Sequence, residues 1–145
     1  MKIRFGFVSN SSSSSFCIVG TRDKKTIRQL MEVEGFPFDE VGNIDYEFNG
    51  SEKSVHAGFG IVELMKPSKV SKYSWDGERI NKFEYVGSCY NNDLPEYAGW
   101  AAEDCLKTRT IQGAVKHFIE TCKKKFNVDV PEKSVGFFYG ESHSE

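Results

Sequence analysis

The sequence predicts an α+β domain with a mainly antiparallel sheet and about three helices, the longest near the C-terminus. Strand patterns dominate the first two-thirds of the chain and helix patterns the last third. That order favours α+β over a doubly wound parallel sheet. Turn dipeptides suited to hairpins separate several strands. The segment that follows Thr110 repeats apolar residues with the period of an amphipathic helix.

Length and charge narrow the class of protein. A chain of 145 residues has the common size of one domain, so we expect a single domain over 1–145, with 141–145 as a loose tail. The 19 basic and 21 acidic residues nearly balance, which does not favour general nucleic-acid binding. No apolar run is long enough to cross a membrane, and residues 1–8 are too short and broken for a signal peptide. We therefore expect a cytoplasmic protein.

The cysteines predict neither a metal site nor disulfides. The cysteines are dispersed and form no C-x-x-C pair, so their spacing does not favour a structural zinc site: they are Cys17, Cys89, Cys105 and Cys122. Dispersed cysteines without an export signal are typical of reduced thiols in a cytosol. No cofactor motif accompanies them, so no cofactor is expected.

The N-terminal third predicts two strands and a helix. Residues 2–8 alternate in polarity like a strand, and residues 16–20 form an apolar run typical of a buried strand. Asp23 is suited to cap the following helix, because its carboxylate can accept the free N–H groups of the first turn. Gly35 is suited to end that helix.

The middle of the chain predicts hairpins. Asn49-Gly50 follows an alternating segment, and Asp76-Gly77 separates residues 70–75 from a strand through residues 83–86. Both dipeptides tolerate the positive φ angles of a type I′ turn. Residues 59–64 predict a further strand, which Pro67 ends or places at an edge.

The last third predicts two helices and a strand. Asp93 to Glu96 resembles a capping box, which predicts a helix from there to about Lys107. A longer helix starts at Thr108 or Thr110, and its last turn carries Lys123 to Lys125, where positive charge offsets the helix dipole. Residues 135–139 predict the final strand.

A serine run, Ser9 to Ser15, is the unusual feature of the sequence. It is typical of a solvated loop between strands. It also suits an anion site, because successive backbone N–H groups and hydroxyls can surround a phosphate or carboxylate. Modification of the hydroxyls and close approach of another chain are further alternatives. The candidate anion-binding residues are Ser9, Asn10, Ser11, Ser12, Ser13, Arg4 and Arg22.

A resemblance to a known group begins at the same run. The segment from Gly6 to Phe16, G-F-V-S-N-S-S-S-S-S-F, resembles the opening of small uncharacterised proteins of bacteriophage and bacterial genomes. The likeness covers about the first 20 residues and no more of the chain. It implies a phage or bacterial origin and a motif whose spelling matters, but it implies no activity.

Other residues able to carry chemistry give no recognisable catalytic set. His117 falls on the polar face of the long helix, which indicates a surface residue. A nucleophilic pair of Cys89 with His56 has no support from spacing, and no H-E-x-x-H or G-x-S-x-G occurs. Tyr97 and Trp100 suit either an aromatic binding surface or, more simply, a cover over the sheet.

These patterns favour a non-enzymatic, phage-type protein that binds a host or phage macromolecule, with a protein as the expected partner. The first alternative is a binder of a phosphorylated small molecule or nucleotide through Ser9 to Ser15. A virion component and an enzyme with an unrecognised site are the remaining hypotheses.

Overall fold

One antiparallel sheet with helices packed against it forms the described part of the chain. The computed structural model describes residues 13–58, 60–66, 78–87 and 94–143. In chain order its elements are β1 (Ser13–Thr21), α1 (Lys24–Glu34), β2 (Ser54–Gly58), β3 (Ile61–Lys66), β4 (Glu78–Arg79), β5 (Glu84–Val86), β6 (Tyr97–Ala101), α2 (Ala102–Cys105), α3 (Ile111–Phe126), a 3₁₀ turn (Glu132–Ser134) and β7 (Val135–His143). The predicted α+β class, with three helices and the longest in the C-terminal half, is confirmed.

The strand order gives both β1 and β6 a neighbouring strand on each side. The described strands follow the order β2-β3-β5-β6-β1-β7, and β4 pairs with β3 outside that path. All pairs are antiparallel. β1 therefore has β7 along its whole length and β6 beside its last four residues, Ile18 to Thr21.

Both long helices cover the same face of the sheet. Val62, Tyr85 and Ala98 lie opposite one another on neighbouring strands, so their side chains share a face. The same core cluster contains Leu30 of α1 and Phe118 of α3, each completely buried. Among the described residues, no helix combines the length and the apolar character that crossing a bilayer requires.

Local capping chemistry places the ends of both helices as the sequence predicts. The Asp23 side chain accepts the Thr26 N–H, and Gly35 ends α1 with a φ of 94°. Thr110 caps α3 by accepting the Gly113 N–H, and Asn127 ends it with a φ of 55°. These caps satisfy backbone groups that a helix end leaves free, so short sequence patterns suffice to find them.

The type I′ turn predicted at Asn49-Gly50 is wrong, although the chain does reverse there and the Val55 N–H donates to the Phe48 carbonyl. Asn49 forms only an isolated bridge with Ser54, and the Gly50 N–H bonds to the Lys53 carbonyl at 3.0 Å. The turn therefore contains four residues, 50–53, and Gly50 does not adopt a positive φ. The Asp76-Gly77 turn and the strand over 2–8 lie outside the described residues.

The helix predicted from Asp93 to Lys107 is also wrong. Tyr97–Ala101 is strand β6, and only Ala102–Cys105 is helical. The capping pattern is a local signal, whereas β6 gains backbone hydrogen bonds from both β1 and β5. Pairing on two sides outweighs the modest helix preference of a five-residue segment. Asp93 lies outside the described residues.

Strands β1 and β7 both extend further than the sequence indicates. Residues 13–15, expected to belong to a loop, are the first residues of β1. Residues 141–143, expected to be a loose tail, are the last of β7. The two extensions pair with each other, Ser13 opposite His143, so each strand supplies the backbone partners of the other.

Strands β1 and β6 approach each other most closely at a glycine pair. Gly20 lies opposite Gly99 in the register. A Cβ atom on Gly20 would lie 1.9 Å from the Ala98 carbonyl oxygen, and one on Gly99 would lie 2.2 Å from the Val19 carbonyl oxygen. Both separations are far inside van der Waals contact, so only glycine fits on either strand at this crossing.

We expect Gly99→Ala to lower the free energy of unfolding by more than about 3 kcal/mol, because the new methyl group must displace backbone rather than a side chain. Urea denaturation measures the change. Gly136→Ala is the matched control. Gly136 pairs with Gly20 from the other side, and its added Cβ would have 3.7 Å to its nearest neighbour atom. Similar losses for both variants would contradict the steric account.

Candidate functional site

Of the candidate anion-binding residues, the structure describes Ser13 and Arg22, and it does not bring these two together. Ser13 and Arg22 lie at opposite ends of the nine-residue strand β1, which separates them by roughly 30 Å. The Arg22 N–H donates to the Ser134 carbonyl at 3.0 Å, and its side chain is exposed. The other candidates, Arg4, Ser9, Asn10, Ser11 and Ser12, lie outside the described residues.

A cleft at one end of the sheet gathers charged and aromatic side chains instead. It has a volume of about 260 Å³ and is lined from β4, β5, β6, α2, α3 and the loops between them. Its basic and titratable side chains are Arg79, Lys82, Arg109 and His117. The acidic side chains Glu84 and Asp104 complete its polar lining.

Trp100 forms the apolar floor of the cleft. Its ring packs against Phe83, with centroids 5.6 Å apart and planes at 28°, and meets Phe118 edge-on at 5.5 Å. His117 lies 5.2 Å from the same ring. His117 is therefore a half-buried residue of the cleft, not the plain surface residue that helical periodicity indicates. Trp100 does cover the sheet, as the simpler interpretation expects.

Positive charge is concentrated around His117. Burial is the main cause that lowers the pKa of His117, and the Arg109 guanidinium lowers it further. Lys125 and Lys82 act in the same direction, opposed by Glu120. The neighbouring Lys125 ammonium also lowers the pKa of Lys82. Three side chains of like charge thus surround one imidazole, which disfavours a fourth positive charge there.

The acidic residues of the cleft are occupied by other cations. Glu84 pairs with Arg79 at 3.5 Å, and Asp104 pairs with Lys107 at 3.7 Å. Burial raises the pKa of Glu84, an effect that Arg79 opposes. Among the described residues, the ion pairs of these two carboxylates are thus with Arg79 and Lys107, not with Lys82 or Arg109.

The described cysteines are poor nucleophiles. Burial raises the pKa of Cys17 to about 11 and that of Cys122 to about 12. Cys105 lines the cleft, and burial raises its pKa as well, with Asp104 and Glu84 acting in the same direction. Because the thiolate is the reactive form, all three are neutral thiols near pH 7.

One half-buried carboxylate lies outside the cleft lining but contacts residues that form the cleft. Glu34, the last residue of α1, accepts the Tyr85 hydroxyl at 2.5 Å and the Phe83 N–H at 3.2 Å. It also accepts the Lys82 N–H. Burial raises the pKa of Glu34, while these three hydrogen bonds and Arg79 oppose the rise.

The remaining sequence candidates lie apart from the cleft. His56 of β2 lies opposite Glu63 of β3, with Nδ1 3.4 Å from the carboxylate. Cys89 lies outside the described residues, so its pairing with His56 is untested. Over the described ranges, no group of three or more His, Cys, Asp or Glu side chains is arranged to hold a metal ion.

Sequence reasoning missed most of the cleft. Arg79, Lys82 and Glu84 come from the segment after a predicted turn, whereas Arg109 precedes the long helix and His117 lies within it. None belongs to a recognisable motif. The only sequence signal near them is the aromatic Trp100, whose type is enriched at binding sites but equally common in cores.

Comparison with known proteins adds no relative: no protein-family model, no curated protein and no solved structure matches this chain.

We expect Arg109→Gln to raise the pKa of His117, because it removes a positive charge that disfavours the imidazolium. Titration of the His117 ring protons by NMR measures the shift. Lys124→Gln removes an exposed charge from the same helix and serves as the control. An unchanged His117 pKa in Arg109→Gln would contradict the proposed charge cluster.

We expect stability to depend on pH through Glu34, which faces Arg79, Lys82, Tyr85 and Cys122. Its pKa in the folded protein is raised above the ordinary 4.5, so the folded state binds the proton more tightly than the unfolded chain does. The contribution of protonated Glu34 to the free energy of unfolding is therefore complete below about pH 4.5. This contribution is lost as the pH rises through the folded-state pKa of Glu34.

Urea denaturation of wild type and Glu34→Gln across this range tests the sign. The unfolding free energy of wild type minus that of Glu34→Gln should fall as the pH rises. A difference that grows with pH would show that the hydrogen bonds to Glu34 outweigh its burial.

Proposed function

We propose that the protein is a non-enzymatic binding protein whose cleft holds the anionic group of a phosphorylated small molecule. The observation that carries the proposal is the convergence of Lys82, Arg109 and His117 on one cleft, with Lys125 beside them. In the described part of the chain, no carboxylate lies within 4.0 Å of the charged nitrogens of Lys82, Arg109 or Lys125.

Charge chemistry supports an anion as the ligand. Like charges held close together repel, and a bound anion converts that repulsion into attraction. A guanidinium can bind a phosphate or carboxylate with two parallel hydrogen bonds, and an ammonium adds a point charge. Phosphate, with up to two negative charges, therefore suits Arg109 and Lys82 better than a neutral ligand does.

The size of the cleft supports a small ligand. Its volume of about 260 Å³ is slightly below the range of roughly 300–1,000 Å³ that drug-sized ligands occupy. A phosphate group with a small organic portion lying on the exposed edge of Trp100 fits this space. A phosphorylated ligand is also the sequence-based alternative, although that hypothesis used the segment from Ser9 to Ser15 as the site.

The chemistry of the thiols favours binding over catalysis. Cys105 is the nucleophilic residue type in the cleft, and burial keeps it in the neutral form. The His117 ring packs at a tilt against Trp100, and nearby positive charge lowers its pKa. These features suit ligand recognition, where fixed charges matter more than proton transfer.

A protein partner is a second candidate, favoured by the outer strand β7. Tyr139 exposes 70% of its surface on this strand, which is an edge among the described strands. Exposed edge strands can accept an added strand from a partner, and tyrosine is enriched at interface hot spots. Such a partner would lose affinity with Tyr139→Ser, whereas phosphate binding would be unchanged.

Calorimetric titration with inorganic pyrophosphate tests the cleft. We expect binding by wild type and a loss of roughly tenfold in affinity for Lys82→Ala and for Arg109→Ala, because each removes a charge-assisted hydrogen bond. Lys116→Ala, an exposed lysine of α3 outside the cleft, is the matched control. Absence of binding by wild type, or equal losses in all three variants, would contradict the proposal.

The same titration should depend on pH. Protonation of His117 adds a positive charge to the site, and its pKa lies below the ordinary 6.5 in the free protein. Affinity should therefore increase as the pH falls through that lowered pKa. His117→Gln should remove the increase, and His56→Gln should keep it.

A further inference from the structure

We propose that Glu34 is a positioning residue of the cleft, which fixes Lys82 and Phe83 through their backbone N–H groups. The inference rests on the proposed anion-binding function and extends it to a residue outside the cleft. Glu34 is absent from the cleft lining and belongs to α1, whereas Lys82 lines the cleft directly.

The contacts of Glu34 link it to both walls of the site. One carboxylate oxygen accepts the Lys82 N–H, and the other accepts the Phe83 N–H at 3.2 Å and the Tyr85 hydroxyl at 2.5 Å. The Lys82 side chain supplies charge to the cleft, and the Phe83 ring supports Trp100 from behind. One carboxylate therefore holds the residues that carry the cation and the aromatic support.

The position of Glu34 is costly for the helix that carries it. A negative charge at the C-terminus of α1 faces the negative end of the helix dipole, where a lysine would be favourable. Burial of the carboxylate adds a desolvation cost. The residue instead satisfies the N–H groups of Lys82 and Phe83, which lie between β4 and β5 and belong to neither strand. The hydrogen bonds of Glu34 thus stabilise the backbone at residues 82–83.

The consequence for binding is geometric. A lysine side chain attached to a fixed backbone reaches the anion with less loss of freedom than one on a mobile segment. Loosening the backbone at 82–83 should therefore weaken binding while leaving the Lys82 charge in place.

A double-mutant cycle with inorganic pyrophosphate tests the proposal, with binding measured by calorimetry. The variants are Glu34→Gln, Lys82→Ala and their combination. We expect Glu34→Gln to lower affinity roughly fivefold in the wild-type background and to have a much smaller effect in the Lys82→Ala background, where only the contact through Phe83 remains. A purely structural role would lower affinity equally in both backgrounds.

The matched control is Asp39→Asn. Asp39 also accepts two backbone N–H groups, from Val41 at 3.0 Å and Asn43 at 2.9 Å, but it lies outside the cleft. It should leave pyrophosphate affinity unchanged. If Glu34→Gln does not fold, Tyr85→Phe removes one contact of the carboxylate and should give a smaller loss with the same dependence on Lys82.

The outcomes distinguish the positioning role of Glu34 from the proposed binding of an anion in the cleft. Failure of wild type to bind pyrophosphate overturns the anion site and the positioning role together. Normal binding by wild type with an affinity that Glu34→Gln leaves unchanged, or reduces equally without Lys82, overturns the positioning role alone.

Discussion

The close crossing of β1 and β6 at Gly20 and Gly99 is the constraint on which the rest of the structure depends. A side chain on either residue would overlap backbone of the other strand. The crossing allows β6 to pair with β1 on one side and β5 on the other. It thereby fixes the strand that carries Trp100 and continues directly into α2.

The cleft follows from that placement. Trp100 extends from β6 toward the helix-covered face, where Phe83 lies on one side and His117 of α3 on another. α3 in turn places His117 where Arg109, Lys125 and Lys82 all act on it, and it places Lys125 beside Lys82. Positive charges that would separate in a flexible chain are held together by a packed core. A ligand that binds them meets a site whose geometry is already formed.

Local signals account for the parts of the fold that the sequence predicts well. Asp23 and Thr110 cap helices by bonding to N–H groups three residues away, so neighbours in sequence determine the outcome. Strand β6 differs, because its partners are distant in the chain. The capping pattern near Asp93 and the Asn49-Gly50 dipeptide are valid local signals that long-range pairing or a longer turn overrides.

The cleft could not be predicted from the sequence. The sequence does predict a phosphorylated ligand, but for the serine run, whose members are adjacent in the chain. The cleft residues are separated by dozens of positions, and each alone looks like an ordinary surface residue. His117 shows the reason: helical periodicity places it away from the apolar stripe but does not reveal that Trp100 lies across from it.

The most direct test maps where an anion binds. Backbone and side-chain NMR signals of the protein can be followed while inorganic pyrophosphate is added. The account predicts that the largest shifts occur at Lys82, Arg109 and His117. Largest shifts in the segment from Ser9 to Ser13, with the cleft signals unmoved, would contradict it.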